Sequence, residues 1–205
     1  MPAAVILVAL AASLVAQLAS RPVEEWRKLL DSPDRVAALR IDDAIARLRL
    51  QPTDVVADLG SGTGPFVVPF ARAVPQGTVY AVEVDRGFLP IIDAKVRAAG
   101  VGNARTVLGA FADPTLPGMV DVAFMHDVLH HVADRPAYVR ALAKYLKTNA
   151  RVAIIDFEPS RSPHRDQPSL VVSKDDARRL FAEIGLTRVE DIALFDDKWF
   201  LVFGR

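Results

Sequence analysis

The chain is 205 residues long, and its 25 basic and 25 acidic side chains give a formal net charge of zero. No run of basic residues exceeds two, which argues against a nucleic-acid substrate, because phosphate binding leaves an electrostatic footprint. Cysteine is absent, so disulfides, thiolate nucleophiles and cysteine-ligated metals are excluded outright.

Residues 2–20 contain no charged side chain, and Arg21 ends the apolar run. Three readings compete for this segment. An uncleaved membrane anchor needs about 20 apolar residues, which the run barely supplies, with Ser13, Gln17 and Ser20 weakening it. A secretory signal has an apolar core of this size but opens on a basic stretch. The third reading is a helix buried in the protein or lying on a membrane surface. Residues 1–20 are therefore set apart, and residues 21–205 are read as one domain with a sizeable core.

A short helix is expected over Glu24–Leu30, interrupted by Pro33-Asp34. A second is expected over Arg35–Leu50, where Val36, Leu39, Ile41, Ala44, Ile45 and Leu48 recur close to helical spacing. An apolar strand at Val55–Leu59 carries Asp58 and opens into Gly60-Ser61-Gly62-Thr63-Gly64-Pro65-Phe66. Glycines admit positive φ and let a ligand meet the backbone without a Cβ, and a helix start presents unpaired N–H groups. A dinucleotide fingerprint reads G-x-G-x-x-G. Here the glycines alternate behind a carboxylate. The next strand, Thr78–Asp85, ends in Glu83 and Asp85, and a third is followed by Val107–Asp113. A buried strand at Val120–Met125 runs into His126-Asp127-Val128-Leu129-His130-His131-Val132. Beyond it a helix is expected over about Pro136–Leu146, a strand over Arg151–Phe157, and a Pro/Ser/Arg loop from Glu158 to Arg165. The helix Ser173–Ile184 is capped by Ser173 with Asp176 three residues on and is stopped by Gly185. Strands of about Arg188–Leu194 and Lys198–Phe203 turn at Asp196-Asp197.

The pattern Asp58-x-Gly60-x-Gly62-x-Gly64 resembles motif I of the class I S-adenosylmethionine (SAM)-dependent methyltransferases, whose ligand carries a cationic amino group and no phosphate. The strand leading to Leu129-His130-His131 is similar to that of the ubiquinone-biosynthesis type. The resemblance covers about residues 35–205 and implies a Rossmann-like α/β fold. That fold is a seven-stranded, mostly parallel sheet with a C-terminal antiparallel hairpin and helices on both faces. It implies SAM as cofactor, bound by Asp58, Gly60, Ser61, Gly62, Gly64, Glu83, Ala110, Phe111 and His126. Glu83 takes the ribose, since a carboxylate accepts from both hydroxyls at once; Asp85 is its substitute or a helix cap. Two departures stand out. Ala110 replaces an acid that often receives the adenine amino group, leaving the ring and backbone N–H of Phe111, with Asp113 as the nearest carboxylate. Lys147-Thr148-Asn149-Ala150 replaces a common Pro-Gly-Gly, and Asn149 is expected to make that turn in left-handed geometry.

Methyl transfer from a sulfonium is an in-line displacement with a good leaving group, so approach geometry is the enzyme's main contribution. An amine or hydroxyl acceptor also needs a base, and histidine suits near-neutral pH. His126, His130 and His131 stand at the carboxyl end of a strand, the edge where open α/β sheets bind ligands. His130 or His131 is expected to position or deprotonate the acceptor, with Asp127 orienting it. Adjacent in sequence, only one of the two is expected to face the acceptor. The bland alternative is a packing feature that supports the cofactor pocket. A metal site from His126, Asp127 and His130 lacks a second ligand cluster, so no metal is expected. With no large insertion, the acceptor is expected to be a small, apolar molecule. A non-catalytic SAM-fold binding protein at a membrane is the competing function, kept open by Ala110; an NAD oxidoreductase is disfavoured by the glycine spacing. SAM is a cytoplasmic metabolite, so residues 2–20 are expected to associate with a membrane, leaving the catalytic domain cytoplasmic. Arg21, Arg27 and Lys28 fit that orientation. Export to the periplasm or medium is the alternative.

Overall fold

A computed structural model describes residues 22–205, so every expectation for residues 1–20 lies outside the described residues. Seven strands form one sheet in the order β3-β2-β1-β4-β5-β7-β6. They are β1 Val55–Leu59, β2 Thr78–Glu83, β3 Ala104–Leu108, β4 Val120–His126, β5 Leu146–Phe157, β6 Arg188–Asp191 and β7 Lys198–Gly204. Pairing is parallel from β3 through β5, and only β7 runs antiparallel to its neighbours. The expected fold class is therefore the observed one.

Both faces of the sheet are covered, which is why its strands read as near-continuous apolar runs. Successive residues alternate between two cores. On one face Ala57, Leu59, Ala123, Met125, Val152, Ile154, Leu201 and Phe203 pack with helices α6 (Arg135–Ala143) and α7 (Lys174–Ala182). On the other, Val56, Val122, Phe124, Ala153, Ile155 and Phe200 pack with α3 (Ile41–Leu48), α4 (Val67–Ala73) and α5 (Leu89–Ala98). Two shorter helices, α1 (Val23–Leu30) and α2 (Pro33–Ala38), precede these. Among the described residues no helix is long and apolar enough to cross a membrane.

Three local expectations need correction. The helix expected over Arg35–Leu50 is broken at Arg40, whose φ is 47°. Its guanidinium bonds Asp43 and the Leu194 carbonyl, fastening the break to the C-terminal hairpin, while Leu39, Ala44 and Leu48 still share one core. The turn expected at Asn149 does not form, and Asn149 is not left-handed. Residues 147–150 are absorbed into a long β5, where the register against β4 shifts between Val120↔Leu146 and Val122↔Arg151. β6 stops at Asp191, three residues short of the expected end at Leu194. The capping box is as expected: Ser173 and Asp176 each bond the other's backbone N–H, and Gly185 follows at φ 79°.

Candidate active site

At the carboxyl edge of the sheet, where β1, β2, β4 and β5 end, lies an open cleft of about 690 Å³. That volume is in the usual range for small-molecule sites, roughly 300–1,000 Å³. One wall is the glycine turn. Gly60, Gly62 and Gly64 have φ of 71°, 55° and 77°, a region that strains any L side chain. The turn is stitched to β2 by the N–H groups of Gly60 and Ser61, which both donate to the Val82 carbonyl at 2.8 and 3.0 Å. A Cβ on Gly60 would stand 2.6 Å from a Val128 methyl, whereas one on Gly62 would meet only Leu30, at 3.5 Å. Gly60, Ser61 and Gly62 line the cleft. Gly64 does not: its Cα faces Ile92 and Val67, so the third glycine serves the packing of α4 and α5.

Two buried carboxylates sit at this wall. Glu83 accepts from the Gly62 N–H at 2.8 Å on one oxygen, and from Val84 and Asp85 at 2.7 and 3.0 Å on the other. Burial raises its pKa against the pull of these three N–H groups. Asp85 instead accepts from Gly87 N–H, outside the cleft lining, and so caps a turn. Asp58 is only 3% exposed, and its Oδ2 has no hydrogen-bond partner among the described residues. Burial, with Glu83 nearby, pushes its pKa up to about 7 against the Ser61 hydroxyl. Asp58 lines the cleft, and a buried carboxylate oxygen without a partner favours a cationic group beside it.

The floor and far wall come from β4 and β5. His126 and Asp127 line the cleft together, 3.3 Å apart, with Asp127 at φ 58° turning the chain off the strand. Burial alone would raise the Asp127 carboxyl, but His126 and Lys198 hold it well below the carboxylate range. The Lys198 ammonium lies 3.1 Å from Asp127 and over the Phe157 ring, and Arg35 approaches at 3.9 Å. Asp127 thus lies against His126 and Lys198 and is not the partner of the His130–His131 pair, contrary to the expectation from sequence. That partner is Asp156, at the end of β5. Its Oδ1 lies 2.7 Å from His130 Nδ1, and its Oδ2 accepts the His130 N–H at 3.1 Å.

Both histidines line the cleft, against the expectation that only one would. A short 3₁₀ turn at Leu129–His131 brings their rings to 4.0 Å between centroids. His131 stands exposed at the mouth, yet desolvation by the surrounding walls, and then the His130 and His164 rings, lower its pKa. His164 joins them from the loop after β5, its ring 5.4 Å from that of His130. Glu158, at the start of the Pro/Ser/Arg loop, faces Lys174 at 3.7 Å. Ala110 and Phe111 line the cleft, but Asp113 does not; its carboxylate is taken by Thr115 N–H and the Tyr145 hydroxyl. Asp156, His164, Lys198 and Arg35 were not singled out in the sequence. The one available signal was Asp156, an acid closing an apolar strand as Asp58 and Glu83 do.

A methyltransferase-domain family model matches residues 56–149, the stretch from β1 through β4 and into β5. The ubiquinone/menaquinone biosynthesis C-methyltransferase of Vibrio campbellii is 30% identical over 110 residues, covering 52% of this chain and 42% of that protein. The chain thus spans less than half the length of such relatives. A probable cobalt-precorrin-6B C(15)-methyltransferase from Methanosarcina acetivorans is 33% identical over 66 residues, covering 32% of this chain and 36% of that one. Among solved structures, a SAM-dependent methyltransferase from Aquifex aeolicus superposes with a TM-score of 0.77 at 21% identity, covering 89% of this chain and 98% of that one. A magnesium protoporphyrin IX methyltransferase from Synechocystis, solved with bound SAH, gives 0.67 at 20% identity over 89% of this chain and 93% of that one. These structural likenesses bear on the fold alone. Sequence and fold resemble those of a class I methyltransferase domain. Together the matches support a SAM-dependent methyltransferase with SAM as its cofactor.

Proposed function

We propose that the protein transfers a methyl group from SAM to a small, largely apolar acceptor. Bound SAM supplies an electrophilic methyl carbon on a sulfonium. The orphaned Oδ2 of Asp58 is the observation that carries the reading, because a buried anion without a partner fits the cofactor's cationic amino group. Glu83, fixed by three backbone N–H groups, keeps about one lone pair, on the oxygen that accepts from Gly62, to take a ribose hydroxyl. Phe111, exposed at the rim, offers its ring to the adenine where Ala110 offers nothing. His130, braced by Asp156, and His131 form the acceptor wall and position the incoming group. His126, with Asp127, closes the floor beneath the cofactor.

The apolar acceptor is supported by Trp26, Leu29 and Leu39, which roof the cleft, and by the ubiquinone/menaquinone relatives. The uncharged run of residues 2–20 fits the same picture, holding the domain at a membrane surface on its cytoplasmic side. Calorimetry on the full-length protein tests the cofactor: SAM and its demethylated product should bind and NAD should not. Binding of NAD alone would overturn the reading. The membrane proposal is tested by fractionation. Full-length protein should pellet with membranes with its N-terminus intact, and a chain beginning near Val23 should stay in the supernatant and still bind SAM. A mature chain starting in the teens or twenties would establish export instead.

A further inference from the structure

We propose that His130, His131 and His164 form a site for a first-row divalent metal ion of the zinc type, set in the acceptor wall of the cleft. One ring nitrogen from each lies within 4.8 Å of the others. Among the described residues these three alone form such a group. Three nitrogens bound at 2.0–2.1 Å to a tetrahedral ion stand about 3.3 Å apart, so closure needs a movement of only about 1.5 Å. His164 can supply it, since it lies on the loop between β5 and α7, between two short 3₁₀ turns, Pro159–Arg161 and Pro168–Leu170. His130 and His131 are already fixed by their shared turn.

A second, independent feature points the same way. Metal-binding histidines almost always donate their other ring N–H to a carboxylate or carbonyl, which fixes the tautomer and ring orientation. His130 has that arrangement in full. Its Nδ1 is engaged by Asp156 at 2.7 Å, and Asp156 is itself held by the N–H groups of His130 and Phe157. Nε2 is thereby left as the lone-pair nitrogen. Among the described residues no side-chain hydrogen bond to the rings of His131 or His164 is seen, and their ring contacts are with His130 and each other. Three imidazoles with no thiolate and no carboxylate ligand suit zinc, iron or cobalt rather than magnesium or calcium. Three protein ligands on an open cleft leave the fourth position free, the pattern of catalytic rather than structural sites. Resting on the methyltransferase reading, the site would take as its fourth ligand an acceptor hydroxyl or thiol, whose O–H or S–H bond breaks on coordination and gives its proton to water.

Untagged full-length protein, stripped with chelator, should be titrated with Co²⁺ and with Zn²⁺ in the absence of SAM. The expected result is saturable binding of one ion per chain, with the visible absorption of low-symmetry Co²⁺ bleached by Zn²⁺. His164→Ala and His131→Ala should each weaken it by about tenfold or more, and Asp156→Asn by about 10–100-fold. Unchanged affinity in His164→Ala, or binding that never saturates at one ion, overturns the proposal. SAM calorimetry on the same samples separates the two readings: His164→Ala should bind SAM as the parent does. Metal binding without SAM binding would sink the methyltransferase reading and leave the metal site standing, and the converse would sink only the metal.

Discussion

The two walls of the cleft are built by different means. The cofactor wall is held by main chain: β1, the glycine turn and the end of β2 bring Asp58, Gly60, Gly62 and Glu83 together through hydrogen bonds to backbone N–H groups. The acceptor wall is assembled from side chains on three separate segments, with His130 and His131 after β4, Asp156 ending β5, and His164 and Gln167 on the loop beyond. The first wall tolerates little at the backbone: its turn is specified by local sequence, and β2 supplies the Val82 carbonyl and the Glu83 carboxylate that hold it. The second is specified only once the sheet has placed β4 beside β5, with His126 opposite Ile155. The proposed function suits this division: a cofactor common to many methyltransferases would meet main chain, while the side chains that would surround a particular acceptor are free to vary.

The largest expected effect falls on the cofactor wall. Gly62→Val should abolish detectable SAM binding, since a side chain there enters the cleft and the left-handed φ of 55° is strained for valine. The fold should survive, because nothing behind Gly62 is crowded. Gly60→Val is the contrast: its Cβ runs into Val128, so thermal stability should fall together with binding. A Gly62→Val protein that still binds SAM would show that this turn is not the cofactor's cradle.

On the acceptor wall the largest effect should be structural. Asp156→Ala strips the partner from a buried ring and from two backbone N–H groups, at a cost of about 2–3 kcal/mol in a denaturant titration. SAM affinity should stay within about twofold. If SAM binding fails while the protein remains folded, the two walls are one unit and the contrast drawn above is wrong.

The same division explains what was legible in the sequence. Asp58 and the glycines stand out because they are close together along the chain, and Glu83, 21 residues beyond Gly62, because an acid closes the next apolar strand. Even there, Gly64 was assigned to the ligand although it packs against Ile92, since a third alternate glycine looks the same whether a ligand or a helix approaches it. Asp127 was chosen to orient the histidines because it is adjacent in sequence, but its left-handed bend turns it toward His126 and Lys198. Asp156 lies 26 residues from His130, and only the parallel register of β4 and β5 reveals the pair. The Asn149 turn failed for a related reason: a β-bulge absorbs residues 147–150 at no need for positive φ.

A middle-sized effect discriminates between neighbours on the cofactor wall. Glu83→Ala should weaken SAM about tenfold or more, the cost of a charge-assisted hydrogen bond of about 1.5–3 kcal/mol. Asp85→Ala should leave affinity within about twofold, because its carboxylate is spent on Gly87 N–H. The reverse ranking would move the ribose to Asp85.

The smallest effect is the pH dependence of SAM binding, and it isolates Asp58. Its carboxyl titrates near 7 in the folded protein, raised by burial from an ordinary 3.8. A group raised in this way favours folding fully below its unfolded pKa, and that contribution fades as pH climbs toward 7. The ligand acts in the opposite sense. A cationic amino group beside Oδ2 favours the carboxylate and lowers its pKa in the complex. SAM affinity should therefore rise with pH between about 5.5 and 7, by at most tenfold per unit, and level off above, while the ligand's amino group, with an ordinary pKa of about 7.7–8.0, stays charged through most of that window. Binding at pH 6 should release a fraction of a proton, measurable by calorimetry in two buffers of different ionisation enthalpy. Asp58→Asn should flatten the profile and remove the proton release without abolishing binding, because Glu83 and the glycine turn remain. A flat profile in the parent protein would mean that Asp58 is already ionised and satisfied, and the seat for the amino group would have to be sought elsewhere on this wall.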